Sequence, residues 1–333
     1  MADLTELEVA TKENFMPVVT QQIYKQSPIL SRIFKIAQEG KFGMAAPSYD
    51  GRKIVEPLEI ADVAVAGAYK TADTWNPGTT EVLTGAAFDW RMYYISLKIH
   101  NKDVEANKGA SRMIDIAAVK FQNAVRVIRK SLATDFYGSQ DDTDVNERMI
   151  GIGAICAADK TIGSLAQGSH AWWQGQIDTA EGNRSLTWKL MNAMYYKTKW
   201  YGNSEPATLI VCSEGVLQDY EDSLTKVAEA APSPLVQIAT MMSKGPKTID
   251  GGYDAFFFKQ IPMVADPFCP ANTMYFLNEN YLKWRLLKAF SATGWAQLRD
   301  QGKDWMQNTI FGYGALTTSA PNKQGVIEAL TEA

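Results

Sequence analysis

The chain has 333 residues but only two histidines and three cysteines, and no long apolar run. His100 and His170 have no motif around them, so a structural or surface histidine is expected at each rather than a catalytic base. Cys156, Cys212 and Cys269 lie more than fifty residues apart, without a CxxC pair and in odd number, which excludes a disulfide framework or zinc knuckle and fits a reducing compartment. The longest apolar stretch, Met149 to Ala158, is broken by Gly151 and Gly153 and falls short of the roughly 18 residues of a membrane helix. No membrane partner is expected.

A charge excess of one sign is also missing. The 33 basic and 37 acidic side chains leave a net charge of −4, so bulk charge does not mark a nucleic-acid binder. Asp3, Glu6 and Glu8 occupy the place where an export signal would carry basic residues, and no signal peptide is expected. Nucleotide P-loop, zinc-protease, nucleophile-elbow and EF-hand patterns are all absent. Gly151-Ile152-Gly153 lacks the third glycine of a dinucleotide fingerprint, and Asp141, Asp142 and Asp144 lack the glycine and distal glutamate of a calcium loop, so a solvated acidic loop is expected there. No catalytic, cofactor-binding or metal-binding residue is assigned, and the chain reads as a non-enzyme.

What the sequence does contain is 46% hydrophobic and 11% aromatic residues, enough for a sizeable core. Phe15, Val18, Val19 and Ile23 recur at helical spacing behind a possible cap at Asn14, which predicts a short amphipathic helix in an arm of about forty residues. Residues 41–100 are rich in β-branched and aromatic residues, with a tip at Asn76-Pro77-Gly78, and predict a long hairpin. Its returning strand alternates Phe88, Trp90, Met92, Tyr94 and then shifts phase to Ile95, Leu97, Ile99, which predicts a bulge or twist. Thirteen such residues reach about 43 Å, too far to fold back on a small body.

Residues 102–137 carry the strongest helical pattern, with Phe121, Val125, Ile128, Leu132 and Phe136 on one face. Between Arg112 and Lys130 this segment holds five basic residues, Arg112, Lys120, Arg126, Arg129 and Lys130, against Asp115 alone. Two readings stay open for this basic stripe: a solvated helix face, or a surface turned toward a polyanion. A helix over 186–201 capped by Ser185, a strand over 208–212 and a helix from Ser213 to about Leu224 follow, then short strands beyond Pro246. Trp172, Trp173, Trp188, Trp200, Trp284, Trp295 and Trp305 fall in the second half, where core and interface packing outweighs a stacking surface.

Leu83 to Trp90, Asn107-Lys108-Gly109, Gly151-Ile152-Gly153 leading to Trp172-Trp173, and Phe258 to Val264 followed by Asp266 and Met274 to Asn278 resemble the major capsid proteins of tailed bacteriophages. That resemblance implies the α+β Hong Kong 97-like fold: an N-terminal arm at 1–40, an extended E-loop at 41–100, the spine helix of the peripheral domain at 101–138, an axial domain at 139–260, and return strands at 261–333. It also implies hexamers and pentamers of an icosahedral shell around double-stranded DNA, assembled in the host cytoplasm, with scaffolding, portal and decoration proteins as further partners. Arg112, Lys120, Arg126, Arg129 and Lys130 would then face the lumen and its DNA, and Phe15, Val19, Ile23, Trp75, Asn76, Pro77 and Gly78 would contact neighbouring subunits. Lys53 and Lys70 lie in the candidate loop without an identifiable asparagine partner, so no isopeptide cross-link is assigned, and no cleaved scaffolding extension is expected ahead of the arm. An encapsulin-type compartment shell is the near alternative. An aromatic-rich carbohydrate-binding protein or hydrolase is the distant one.

Overall fold

In the computed structural model, which describes residues 27–29, 51–61, 70, 81–106, 116–201, 204–230, 247–249, 253–297 and 304–331, the first strands are β1 (Lys53–Glu59), β2 (Leu83–Asp89) and β3 (Arg91–His100). Helices α1 (Asn101–Ala106), α2 (Ile116–Tyr137) and α3 (Ile152–Cys156) follow. A small ribbon, β4 (Thr161–Ile162) with β5 (Leu165–Ala166), precedes β6 (Gln176–Asp178), α4 (Trp188–Tyr201), β7 (Leu209–Cys212) and α5 (Glu214–Ala230). The rest is mostly strand: β8 (Lys247–Ile249), β9 (Tyr253–Phe258), β10 (Ile261–Ala265), β11 (Met274–Leu277), β12 (Leu282–Ala292), β13 (Ala296–Gln297), β14 (Trp305–Thr318) and β15 (Gly325–Ile327).

The expected hairpin is present at its base, where β1 and β2 pair antiparallel from Lys53 opposite Asp89 to Glu59 opposite Leu83. The returning strand is not one strand, however. It breaks at Trp90, and β3 leaves the hairpin to pair with β14. The phase change also falls at this break: Ala86 and Phe88 are buried on β2, whereas Arg91, Tyr93, Ile95, Leu97 and Ile99 point inward on β3 and leave Met92 and Tyr94 exposed. Trp90 secures the corner by donating Nε1–H to the Gly51 carbonyl at 2.9 Å.

Of the helix expected over 102–137, α1 and the 22-residue α2 are described, and residues 107–115 lie outside the described residues. At about 1.5 Å per residue α2 spans about 33 Å. Its apolar face, with Ala124, Ile128, Leu132 and Phe136 buried, packs on the inner face of β3. The helix expected from Leu186 begins at Trp188 instead, with residues 184 and 331 held extended by backbone bonds (Arg184 N–H to Ala329, Thr331 N–H to Arg184, both 2.9 Å). Thr187 is the capping residue, its Oγ1 accepting from the Leu190 N–H at 3.3 Å. Helix α5 runs to Ala230, past the expected end near Leu224.

Seven strands form one mixed sheet in the order β6-β15-β11-β7-β10-β9-β8. The boundary expected at residue 260 falls in the turn between β9 and β10, inside this sheet, which draws on chain segments from both sides of it. The cause is pairing: β7 lies between β10 (parallel) and β11 (antiparallel), and β15 closes beside β11. Residues on alternate sides of these strands enter different cores. Leu209, Val211, Tyr275, Leu277 and Val326 join α2 and α3, while Ile210, Cys212, Met274, Phe276 and Ile327 pack under α4 and α5. Burial on both faces explains why β7 and β11 are apolar throughout.

Candidate assembly surfaces

The β1–β2 ribbon has one buried and one open face because its residues alternate. Ile54, Glu56 and Leu58 face inward with Ala86 and Phe88, whereas Val55 and Leu83 are 61% and 70% exposed on the outer face. The surprising member of the inner row is Glu56. Its Oε1 accepts from Arg285 Nη2 at 2.8 Å and from Thr317 Oγ1 at 3.2 Å, and its Oε2 lies 3.4 Å from Lys283 Nζ. Burial pushes the Glu56 carboxyl up, but the hydrogen bond and charge of Arg285, helped by Lys283, outweigh it and hold the group below the usual carboxylate range. This cluster rivets the ribbon to β12 and β14. Gly163, at φ +61°, lets the β4–β5 turn approach the same spot: a Cβ there would sit 2.7 Å from the Ala86 Cβ.

The acidic loop after α2 is a scaffold and not a freely solvated loop as expected. Asp141 accepts from the Thr143 N–H at 3.0 Å and the Thr161 N–H at 3.1 Å, Asp142 accepts from the Ser164 N–H at 2.7 Å, and Asp144 takes both Nε and Nη2 of Arg148 at 3.1 Å. Arg91 lies 3.7 Å from Asp142, and desolvation raises the Asp142 pKa. Asp135, at the end of α2, accepts from the Tyr93 hydroxyl at 2.8 Å, and that hydroxyl accepts from the Met149 N–H at 3.0 Å. Burial raises both the Asp135 and the Tyr93 pKa. Near the start of the described chain, Ser27 donates to buried Asp266, which ties the Ser27-Pro28-Ile29 segment to the body.

Three open surfaces stand out among the described residues. The first is the outer face of the ribbon. The second is the outer face of the β12–β14–β3 sheet, where Met92 and Tyr94 are 64% and 77% exposed beside half-buried Trp305, Phe311 and Tyr313. Facing pairs there are Tyr94 with Phe311 and Met92 with Tyr313, and Lys98 and Lys288 lie over the Trp305 and Phe311 rings at 4.8 and 4.3 Å. The third is α4, which carries exposed Tyr196 and Trp200.

Of the residues expected to face a lumen, Lys120, Arg126, Arg129 and Lys130 lie on α2, the last two exposed and the first two half-buried. At about 100° per residue, Arg126 lies on the same side of the helix as buried Ala133 two turns later, and Lys130 lies one turn after Arg126. Arg112, Phe15, Val19, Ile23, Trp75, Asn76, Pro77 and Gly78 lie outside the described residues. The tryptophans do not form one surface: Trp173 and Trp284 are buried, Trp173 donating to the Ile162 carbonyl at 2.9 Å, whereas Trp200 is 81% exposed. Sequence reasoning missed Glu56, whose signal was a glutamate in the inward phase of the KIVEPLE strand, and the charge of α4, which has three lysines and no acid.

His100 packs edge-on against Trp305, and His170 lies against Trp172. Among the described residues no group of three metal-ligating side chains exists, and no helix is long and apolar enough to cross a membrane.

Comparison with known proteins fits this architecture. The family model described as SU10 major capsid protein matches residues 102–331. No curated protein matches the chain. Among solved structures, the cyanophage A-1(L) capsid is similar over 99% of this chain and 100% of its own, at a TM-score of 0.70 and 18% identity. The capsid of Myoviridae phage XM1 is similar over 99% of both chains (TM-score 0.61, 9% identity), and the SrpI encapsulin from Synechococcus elongatus PCC 7942 over 94% of this chain and 92% of its own (0.55, 8%). These likenesses establish the α+β Hong Kong 97-like fold, which phage coats and encapsulins share, and the family match separates the two. The chain belongs to the SU10 major capsid protein family and is a structural phage coat protein that self-assembles into the shell of a virion.

Proposed function

We propose that the chain forms the hexamers and pentamers of an icosahedral head that encloses double-stranded DNA, assembled in the host cytoplasm without any catalytic step of its own. The observation that carries this reading is the β1–β2 ribbon, riveted at its base through Glu56 and open on its outer face at Val55 and Leu83. A ribbon so fixed has a defined direction and an apolar side left for a neighbouring subunit. In this reading residues 1–40 are the arm, 41–100 the extended loop with its flanking strands, and 101–138 the spine segment. The axial domain is the seven-stranded sheet with α4 and α5 in place of the contiguous span 139–260, and the β12–β14–β3 sheet completes the peripheral domain.

Lys120, Arg126, Arg129 and Lys130 on α2, with Arg112 ahead of it, would face the DNA through charge alone and without sequence preference. Portal, scaffolding and decoration proteins are the further partners of such a head. Electron microscopy of the chain expressed with its neighbouring head genes tests the reading. Closed shells with sixfold and fivefold capsomers are expected, and open sheets or a monomer under every condition would refute it. Neutralising Arg126, Arg129 and Lys130 should leave empty shells intact and reduce DNA-filled ones, whereas equal loss of both would assign the stripe to packing.

A further inference from the structure

Helices α4 and α5 lie on the same face of the seven-stranded sheet, over Ile210, Cys212, Met274, Phe276 and Ile327, and Trp188 of α4 touches Tyr220 of α5 at 6.1 Å between rings. Their charges are opposite. Helix α4 carries Lys189, Lys197 and Lys199 and no acid, a net +3, whereas α5 carries five acids, Glu214, Asp219, Glu221, Asp222 and Glu229, against Lys226 alone, a net −4.

The positions of these charges matter as much as their number. On α4, Met191, Met194 and Thr198 are buried, and helical periodicity puts Lys189, Tyr196 and Trp200 on the outward side. Lys259 adds a fourth cation beside them, with Nζ 4.3 and 4.2 Å from the Tyr195 and Tyr196 ring centres. It sits in the two-residue β9–β10 turn, where Lys259 and Gln260 both have positive φ (48° and 70°), the backbone of a tight hairpin turn usually given to Asn and Gly. The body therefore fixes a lysine over two tyrosines at the edge of the patch. On α5, Val216 and Tyr220 are buried, so the same periodicity directs Glu214, Glu221 and Asp222 outward, with Asp219 on the flank.

We propose that these two patches are mutually complementary halves of a contact between copies: the aromatic and basic ridge of α4 with Lys259 on one subunit docks on the acidic outer face of α5 on the next. Charge complementarity within one chain makes a second copy the fitting occupant, since every copy presents both halves. Exposed Trp200 and Tyr196 supply the rigid aromatic centre of such a contact, and the lysines and carboxylates supply its polar rim. This inference rests on the shell reading above and specifies one of the contacts that builds it.

Charge exchange tests it. One variant carries Lys189→Glu and Lys259→Glu, a second carries Asp219→Lys and Asp222→Lys, and a third carries all four. Each two-site reversal is expected to raise the protein concentration at which half the chain assembles by about tenfold or more, because like charges then face each other. The four-site variant, with charges exchanged on both sides, is expected to return to within about threefold of the unaltered chain. Circular dichroism and thermal unfolding of unassembled subunits identify any variant that has lost its fold, and Trp200→Ala, an exposed position, then carries the same test with an expected loss of assembly at unchanged unfolding temperature. Reversals that assemble like the unaltered chain, or a folded four-site variant no better than the worse two-site one, would overturn the contact. Failure of the unaltered chain to assemble would instead sink the shell reading, so the two failures can be told apart.

Discussion

The seven-stranded sheet and the β1–β2 ribbon with its neighbouring sheet solve the same problem differently. In the first, β7 and β11 are buried at every position because helices cover one face and the α2–α3 side covers the other. In the second, one face packs and the other stays open with Val55, Leu83, Met92 and Tyr94 at 61%, 70%, 64% and 77% exposure. The two-faced core holds the subunit together, and the one-faced strands keep an apolar outer side open, which the proposed shell would cover with another chain.

The contrast can be broken first in the lobe. Phe276, fully buried on β11, should cost about 3–5 kcal/mol when replaced by alanine, read as a lower midpoint in urea unfolding of the unassembled subunit. In the ribbon the comparable blow is polar. Glu56→Ala leaves Arg285 buried without its carboxylate and should cost about 3 kcal/mol, measured the same way. Because the folded Glu56 pKa is depressed, its contribution is full above the unfolded value near 4.5 and fades as pH falls through the lower folded value. Glu56→Gln should therefore flatten the acid limb of the stability–pH curve, and an unchanged limb would show that the rivet carries no charge-dependent stability.

Smaller effects sharpen the comparison. Gly163→Ala places a methyl group against Ala86 and Phe88 at a positive φ and should cost about 1–3 kcal/mol, seen as a lowered unfolding temperature. Tyr94→Ser on the open face should change subunit stability by less than about 0.5 kcal/mol yet raise the concentration needed for assembly, as followed by light scattering. A large stability loss there would mean that the face belongs to the subunit's own core.

Much of this contrast was legible in the sequence. Thr208 to Cys212 and Met274 to Asn278 read as strands because their apolar runs are short and bounded, and the 3- and 4-residue spacing from Phe121 to Phe136 fixed the buried side of α2. The break at Trp90 was misplaced because Met92 and Tyr94 on the outer face are as apolar as Tyr93 and Ile95 on the inner one, so hydrophobicity could not choose a phase. The sheet's disregard for residue 260 was hidden because long-range pairing leaves no local trace. At the candidate surfaces the basic stripe of α2 was visible, but that of α4 was masked by its Trp and Tyr residues, which resemble core when read without a partner surface.

In the proposed shell this chain works by burying its open faces between copies. Sedimentation velocity of the purified, unaltered chain over a range of concentrations tests it most directly. A sharp transition from subunits or capsomers to shell-sized particles at a critical concentration is expected, whereas a single slow species that persists at every concentration, salt and pH tried would contradict a shell-forming role.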